Sequence, residues 1–178
     1  MNILKTYKKY CNENYLEFNL KEEGIWKIFE REFGENRTER LSQLFNDRFE
    51  GLTKVSPYSF CQNFKETSTL MCLQSDFFFE NSIKILELFK NTKSHQVLEL
   101  GCYNGILLNF LAELYPSKNF TGIDLEKNII QFAKERFSRT NLKFVPLDYK
   151  KMPDLLNHYD FIFSLFGIED IPHEVKLD

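Results

Sequence analysis

The sequence predicts an α/β fold: a partial parallel sheet of about four strands flanked by helices, preceded by an all-helical segment. Three observations support this prediction. The first half has helical periodicity, the second half alternates short apolar runs with amphipathic helices, and a turn with two glycines joins the first strand to a helix. We therefore expect two domains, a helical segment over residues 1–93 and a sheet domain over residues 94–178.

The composition is that of a chain with a substantial core. It has 178 residues, 43% hydrophobic content and a net charge of −3 with both signs interspersed. This balance points to neither a nucleic acid nor a membrane surface as a partner. Its four cysteines show no paired metal-ligand spacing, so we expect no metal site and a reducing, cytoplasmic location.

The first half carries apolar stripes at helical spacing, which predict amphipathic helices. The stripes run from Ile3 to Phe18, from Ile25 to Phe33 and from Leu41 to Phe49, with a further helix at about Asp76–Lys90. Gly51–Phe60 is predicted to be a loop because it contains Pro57. Three consecutive phenylalanines, 77–79, are assigned to core packing, with an apolar substrate lining as the less favoured alternative.

The second half predicts the sheet and its flanking helices. The predicted strands are Gln96–Leu100, Asn119–Ile123, Asn141–Val145 and Asp160–Phe163, and the helices lie between them at about 104–115, 126–138 and 154–157.

Carboxylates follow the strands of this predicted sheet. Glu99 lies near the end of the first strand, Asp124 closes the second, and Asp148 follows the third. The carboxyl ends of parallel strands meet at one edge, where open α/β sheets bind their ligands. We therefore expect the three carboxylates to gather at that edge, beside the glycine turn.

These residues resemble a known family. The run Val-Leu-Glu-Leu-Gly-Cys-Tyr-Asn-Gly at 97–105 resembles the first motif of the class I S-adenosylmethionine-dependent methyltransferases, which have a Rossmann-like fold. The segments 120–126, 141–149 and 159–170 are similar to the next three motifs, in the right order and at the usual spacing. The resemblance covers about residues 96–171 and leaves the helical half unexplained.

The resemblance implies a site for S-adenosylmethionine, with S-adenosylhomocysteine as product. Asp124 would hold the ribose, Asp148 would face the adenine amino group, and Leu125 and Tyr149 would form an apolar slot for adenine. The remaining implied cofactor-binding residues are Glu99, Gly101, Cys102, Tyr103, Gly105 and Ser164. Tyr103 replaces the family's middle glycine, which would allow a ligand to approach the backbone closely at that point.

Structural roles are the alternatives to these functional ones. Glu99 suits a capping or salt-bridged carboxylate, Asp124 a helix cap, and Asp148 a turn former, while ordinary packing explains Leu125 and Tyr149. The turn lacks the Gly-x-Gly-x-x-Gly spacing of a nicotinamide dehydrogenase.

A catalytic residue is not evident, because methyl transfer needs a base only when the acceptor must lose a proton. His173, beyond the fourth strand, is a weak candidate base, with a surface role as the alternative. The other two histidines, His95 and His158, precede strands and belong to the opposite edge.

The family's sheet usually has seven strands, and this sequence supplies four. We therefore expect a continuation beyond residue 178, or a partner that covers the open sheet edge. The predicted function is methyl transfer to a small-molecule or carrier-bound metabolite, with the helical segment as cap or docking element. A catalytically silent binding or assembly module is the alternative.

Overall fold

The computed structural model describes residues 2–148 and 157–165. The chain divides after Glu80 into two compact units. The division falls inside a long helix, α5 (Ser75–Phe89), whereas the change in sequence pattern after residue 93 marks the start of the sheet. The domain organisation expected from the sequence stays a prediction.

The first unit contains four complete helices and the start of α5. These are α1 (Ile3–Glu13), α2 (Glu22–Phe33), α3 (Glu35–Phe49) and α4 (Phe64–Met71), with short 3-10 turns at Pro57–Phe60 and Cys72–Gln74. Their apolar faces meet in a core that includes Tyr7, Phe29, Leu41 and Leu70, all fully buried.

Helix α1 is shorter than its apolar stripe predicted. The Asn2 side chain accepts a hydrogen bond from the Lys5 backbone N–H at 3.3 Å and so caps its start. The helix ends at Glu13, and Tyr15 follows with a left-handed φ of 64°. A residue in that conformation cannot continue a right-handed helix, so the apolar positions beyond Glu13 lie outside α1.

Helix α3 begins earlier than predicted and α4 was not predicted as a separate element. The first turns of α3 are polar, so no apolar stripe marked them before Leu41. Thr67, Ser68 and Thr69 of α4 are buried although polar, and two of them are poor helix formers because they are branched at Cβ.

The three consecutive phenylalanines lie in α5, where two of them pack into the interior. Phe78 is buried, and the Phe79 ring lies 5.9 Å from the Tyr7 ring and 4.6 Å from the Phe18 ring, measured between centroids. Phe77 is half exposed. Core packing, the role favoured from the sequence, therefore accounts for Phe78 and Phe79.

The second unit contains the sheet. Its strands are β1 (Gln96–Leu100), β2 (Asn119–Asp124), β3 (Leu142–Pro146) and β4 (Phe161–Phe163), and its helices after the end of α5 are α6 (Ile106–Leu114) and α7 (Lys127–Arg136). All pairings are parallel, in the order β3-β2-β1-β4. The predicted α/β sheet with flanking helices is confirmed, with strand ends within one residue and these two helices within two residues of prediction. The short helix expected at 154–157 lies, apart from Asn157, outside the described residues.

Aromatic side chains cover one face of the sheet. Phe120 and Phe161 flank Val97 in register, and the Phe89 ring of α5 lies 5.8 Å and 5.1 Å from their rings. The opposite face carries Leu98, Leu100 and Ile123, packed with Leu147, Tyr159 and Ile162. Both faces of the central strands are therefore covered, as a parallel sheet requires.

Within residues 2–148 and 157–165, none of the helices has both the length and the apolar character needed to cross a bilayer.

Candidate functional site

The turn between β1 and α6 runs through three left-handed residues at alternate positions. Gly101 has φ 67°, Tyr103 has φ 53° and Gly105 has φ 74°. The Cys102 N–H donates to the Ile123 carbonyl at 2.9 Å and thereby ties the turn to the end of β2. Glycines at the first and last of these positions adopt this conformation without steric cost.

Tyr103, which stands in place of the family's middle glycine, has a left-handed conformation of the kind that glycine adopts readily. A left-handed tyrosine costs about 1–2 kcal/mol because its Cβ approaches the backbone. Its N–H donates to Asp124 Oδ2 at 2.9 Å, and this hydrogen bond offsets part of that cost. The substitution therefore leaves the glycine-type backbone in place and adds a ring to the turn.

Asp124 joins the turn to the helix that follows β2. Besides the Tyr103 N–H, it accepts the Glu126 N–H at Oδ1, at 3.0 Å. Burial raises the pKa of Asp124, while backbone hydrogen bonds from Glu126, Tyr103 and Leu125 act in the opposite direction. A carboxylate has about four lone-pair sites, so Asp124 is fixed by the backbone and keeps some capacity for a further donor.

Glu99 is the most enclosed carboxyl group of the candidate site. It is 2% exposed and lies in register between Gly122 of β2 and Phe163 of β4. Among the residues described, nothing forms a hydrogen bond with its Oε2 atom. Burial, and next the charge of Asp124, raise the pKa of Glu99 well above its usual range. Glu99 therefore favours the protonated form far more than an exposed glutamate does.

Cys102 and Gly122 meet where the turn crosses β2. A methyl group added at Gly122 would lie 2.7 Å from Cys102 Sγ and 2.9 Å from Leu108 Cδ2. Burial, followed by the charges of Glu99 and Asp124, raises the pKa of the Cys102 thiol. The thiol is therefore a packing group, and the turn closes over β2 only because residue 122 has no side chain.

This contact gives a prediction for Gly122→Ala. We expect it to lower the free energy of unfolding by about 1–3 kcal/mol, because the added methyl overpacks the space below the turn. Chemical denaturation measures the change.

Gly24→Ala is the matched control, because a Cβ there meets no atom within 4 Å and the residue lies in α2. It should be neutral or stabilising by up to about 1 kcal/mol. Equal losses in both variants would contradict close packing at Gly122.

The structure brings most of the sequence-predicted site residues to one edge. The Leu147 N–H donates to the Asp124 carbonyl at 2.9 Å, so the segment leading to Asp148 lies beside the end of β2. Leu125 is 52% exposed there, and Ser164 directly follows β4. Tyr149 and His173 lie outside the described residues.

Two residues at this edge were not predicted from the sequence. Gly122 lies within the quoted second motif, but nothing in its spacing indicated a close approach to Cys102. Glu126 is the N-cap residue of α7 and is half buried, and burial followed by the charge of Asp124 raises its pKa. The sequence feature that could have identified Glu126 is its position two residues after Asp124, at the start of an amphipathic helix.

Comparison with known proteins agrees with this geometry. Residues 97–177 match the model of a family described as a methyltransferase domain. The malonyl-[acyl-carrier protein] O-methyltransferase of Acetivibrio thermocellus is 32% identical over 68 residues, which are 38% of this chain and 24% of that protein. The mitochondrial ubiquinone biosynthesis O-methyltransferase of Saccharomyces cerevisiae is 35% identical over 83 residues, 44% of this chain and 27% of that protein.

Among solved structures, human N-acetylserotonin methyltransferase in complex with SAM aligns with 24% identity and a TM-score of 0.43, covering 56% of this chain and 28% of that one. The chain spans about a quarter of the length of the two curated relatives named above. The family match begins at the first residue of the predicted first motif and includes all four motifs. Residues 97–177 therefore match a methyltransferase domain, and their motifs resemble those of the class I S-adenosylmethionine-dependent methyltransferases.

Proposed function

We propose that the chain binds S-adenosylmethionine at the carboxyl edge of its sheet and transfers the methyl group to a small-molecule or carrier-bound metabolite. One observation carries this proposal. The buried carboxyl group of Glu99 and the partly buried one of Asp124 lie around a left-handed turn at the end of β1, and Oε2 of Glu99 has no partner within residues 2–148 and 157–165. Such a site suits a ligand that is cationic and rich in hydroxyl donors.

The described residues fit the donor in their chemistry. The spare lone pairs of Asp124 suit ribose hydroxyls, and the enclosed Glu99 suits the cationic methionine end. Asp148 would face the adenine amino group, and Leu125 would line the adenine slot with Tyr149. The turn formed by Gly101, Cys102, Tyr103 and Gly105 would border the methionine end, and Ser164 the methyl side.

The donor supplies a methyl group activated on a sulfonium, which moves to the acceptor by in-line displacement. The chain's own residues then need only bind and orient donor and acceptor and exclude water. A base is required only for an acceptor that must lose a proton, and His173 remains the weak candidate for that role.

The names of the relatives support the acceptor class. They describe O-methyltransferases acting on a malonyl-acyl carrier protein and in ubiquinone biosynthesis. The net charge of −3 is not typical of a nucleic-acid-binding protein, which usually carries a basic surface. We therefore propose an oxygen acceptor on a small or carrier-bound molecule and a cytoplasmic location, with residues 1–93 as a cap or docking segment.

Titration calorimetry on the folded chain tests the proposal. We expect S-adenosylmethionine and S-adenosylhomocysteine to bind at the same single site, so that each prevents the other from binding. Donor carrying a tritiated methyl group is then incubated with malonyl-acyl carrier protein, a fatty acid and a phenol. Label in one acceptor supports transfer, whereas a folded chain that binds neither compound overturns the proposal. Binding without label in any acceptor would favour the silent module.

A further inference from the structure

Glu99 is an enclosed carboxyl group with one oxygen atom that lacks a hydrogen-bond partner within the described residues. It is 2% exposed, and its Oε2 atom accepts no hydrogen bond from the described part of the chain. A buried carboxylate without partners is strongly disfavoured as an anion, since desolvation acts on the charged form. In the free chain the enclosed group therefore favours the neutral acid.

The groups around Glu99 reinforce this preference. Asp124 faces it from β2, the Cys102 thiol from the turn, and Glu126 stands beside Asp124 at the N-cap of α7. Phe163 of β4 lies in register with Glu99 on one side, and on the other side lies Gly122 of β2, which the apolar Leu108 of α6 approaches. Within residues 2–148 and 157–165, Glu99 forms no ion pair with a lysine or arginine, so the described surroundings leave its negative charge uncompensated.

We propose that Glu99 is a specificity-determining residue that is protonated in the free chain and releases its proton to solvent when the cationic donor binds. This inference rests on the proposed function. The O–H bond of the Glu99 carboxyl breaks, the proton passes to the buffer, and the carboxylate faces a ligand carrying sulfonium and ammonium charges. The raised pKa of Glu99 supports the same direction.

Selection of donor over product follows from the charge difference between them. S-adenosylhomocysteine has lost the sulfonium charge, so it compensates an ionised Glu99 less well than the donor does. Donor binding is therefore coupled to proton release more strongly than product binding. Above the pH range in which the free Glu99 carboxyl titrates, this coupling disappears because the proton has already left.

Calorimetry in two buffers tests the proposal. Donor is titrated at pH 7 in phosphate, whose ionisation heat is small, and in Tris, whose ionisation heat is large. We expect different observed heats for the wild-type chain and equal heats for Glu99→Gln, whose amide approximates the neutral acid in shape. Glu135→Gln, the same change on an exposed residue of α7, should keep the wild-type difference.

The pH dependence of the dissociation constant is the second readout. Below the pH range in which the free Glu99 carboxyl titrates, the dissociation constant of the donor should fall by up to about tenfold for each pH unit of increase. The dissociation constant of the product should fall less steeply. This wild-type comparison can still overturn the proposal when Glu99→Gln fails to fold, because the proposal requires a buffer-dependent heat and a steeper slope for the donor. Equal wild-type heats with equal slopes, or a buffer difference that survives in Glu99→Gln, would overturn the role of Glu99. A folded chain that binds no donor overturns the proposed function as well, whereas binding without proton release overturns this inference alone.

Discussion

Asp124→Ala is expected to abolish most donor binding, raising the dissociation constant of S-adenosylmethionine by about 100-fold or more. The carboxylate is positioned by backbone hydrogen bonds from Tyr103 and Glu126, and its remaining lone pairs suit hydroxyl donors. Hydrogen bonds to a charged group contribute about 1.5–3 kcal/mol each, so the loss of two corresponds to at least this factor. Titration calorimetry gives the constant directly.

Two comparison variants separate binding from folding. Asp124→Asn keeps one oxygen acceptor but places an amide NH₂ against one of the backbone donors, so an intermediate loss is expected. Asp47→Ala removes a partly exposed carboxylate of α3 that accepts a hydrogen bond from Gln43, and this variant should bind the donor as the wild type does. Wild-type affinity in a folded Asp124→Ala chain would contradict the ribose role.

Glu66→Ala is expected to cause the largest loss of stability, about 3–5 kcal/mol. The Glu66 side chain is 2% exposed and accepts hydrogen bonds from Arg37 at 2.6 Å and 3.0 Å and from the Gln62 N–H. Arg37 also donates to the Phe60 carbonyl. Removing the carboxylate leaves a largely buried guanidinium and a backbone N–H without their acceptor.

Chemical denaturation with two controls tests this prediction. Glu23→Ala breaks a fully exposed pair with Lys27 and should leave the unfolding midpoint unchanged within error. The double variant Arg37→Met with Glu66→Leu should lose less than Glu66→Ala, because it removes both buried charges at once. A Glu66→Ala midpoint equal to that of Glu23→Ala would mean that the ion pair contributes nothing to the helical unit.

The strands could be predicted because their apolar runs are short and end at informative residues. β1 ends before Gly101 and β2 ends at Asp124. The same residues therefore indicate both where the strands end and where the candidate site lies. The parallel order also places the carboxyl ends of all four strands on one side. That is why the gathering of site residues followed from chain order alone.

The helical half was less predictable because polar residues occupy buried positions. In α4 the run Thr67-Ser68-Thr69 lacks an apolar stripe, although Asn63 three residues before Glu66 is a capping pattern, and the Asn63 side chain does accept the Glu66 N–H at 2.8 Å. Burial of Glu66 depends on Arg37, 29 residues away, and no local pattern shows such a pairing.

The buried Oε2 atom of Glu99, which has no hydrogen-bond partner within the described residues, and the packing of Gly122 against Cys102 could not be predicted for a related reason. Both depend on what neighbouring strands place beside a residue. Glycine at 122 suggests freedom of the backbone, whereas its φ is ordinary and its importance is the space that it leaves for the thiol.

The left-handed conformation of Tyr103 restricts how this position can change over evolution and in engineering. Its backbone N–H, not its ring, is what fixes Asp124, so the ring can be exchanged while the carboxylate stays in place. Only residues that tolerate positive φ are suitable replacements, chiefly Gly, Asn, Asp and His. Position 103 is therefore a place where a small set of substitutions can alter the surface of the turn at the proposed donor site while the backbone of the turn is inherited unchanged.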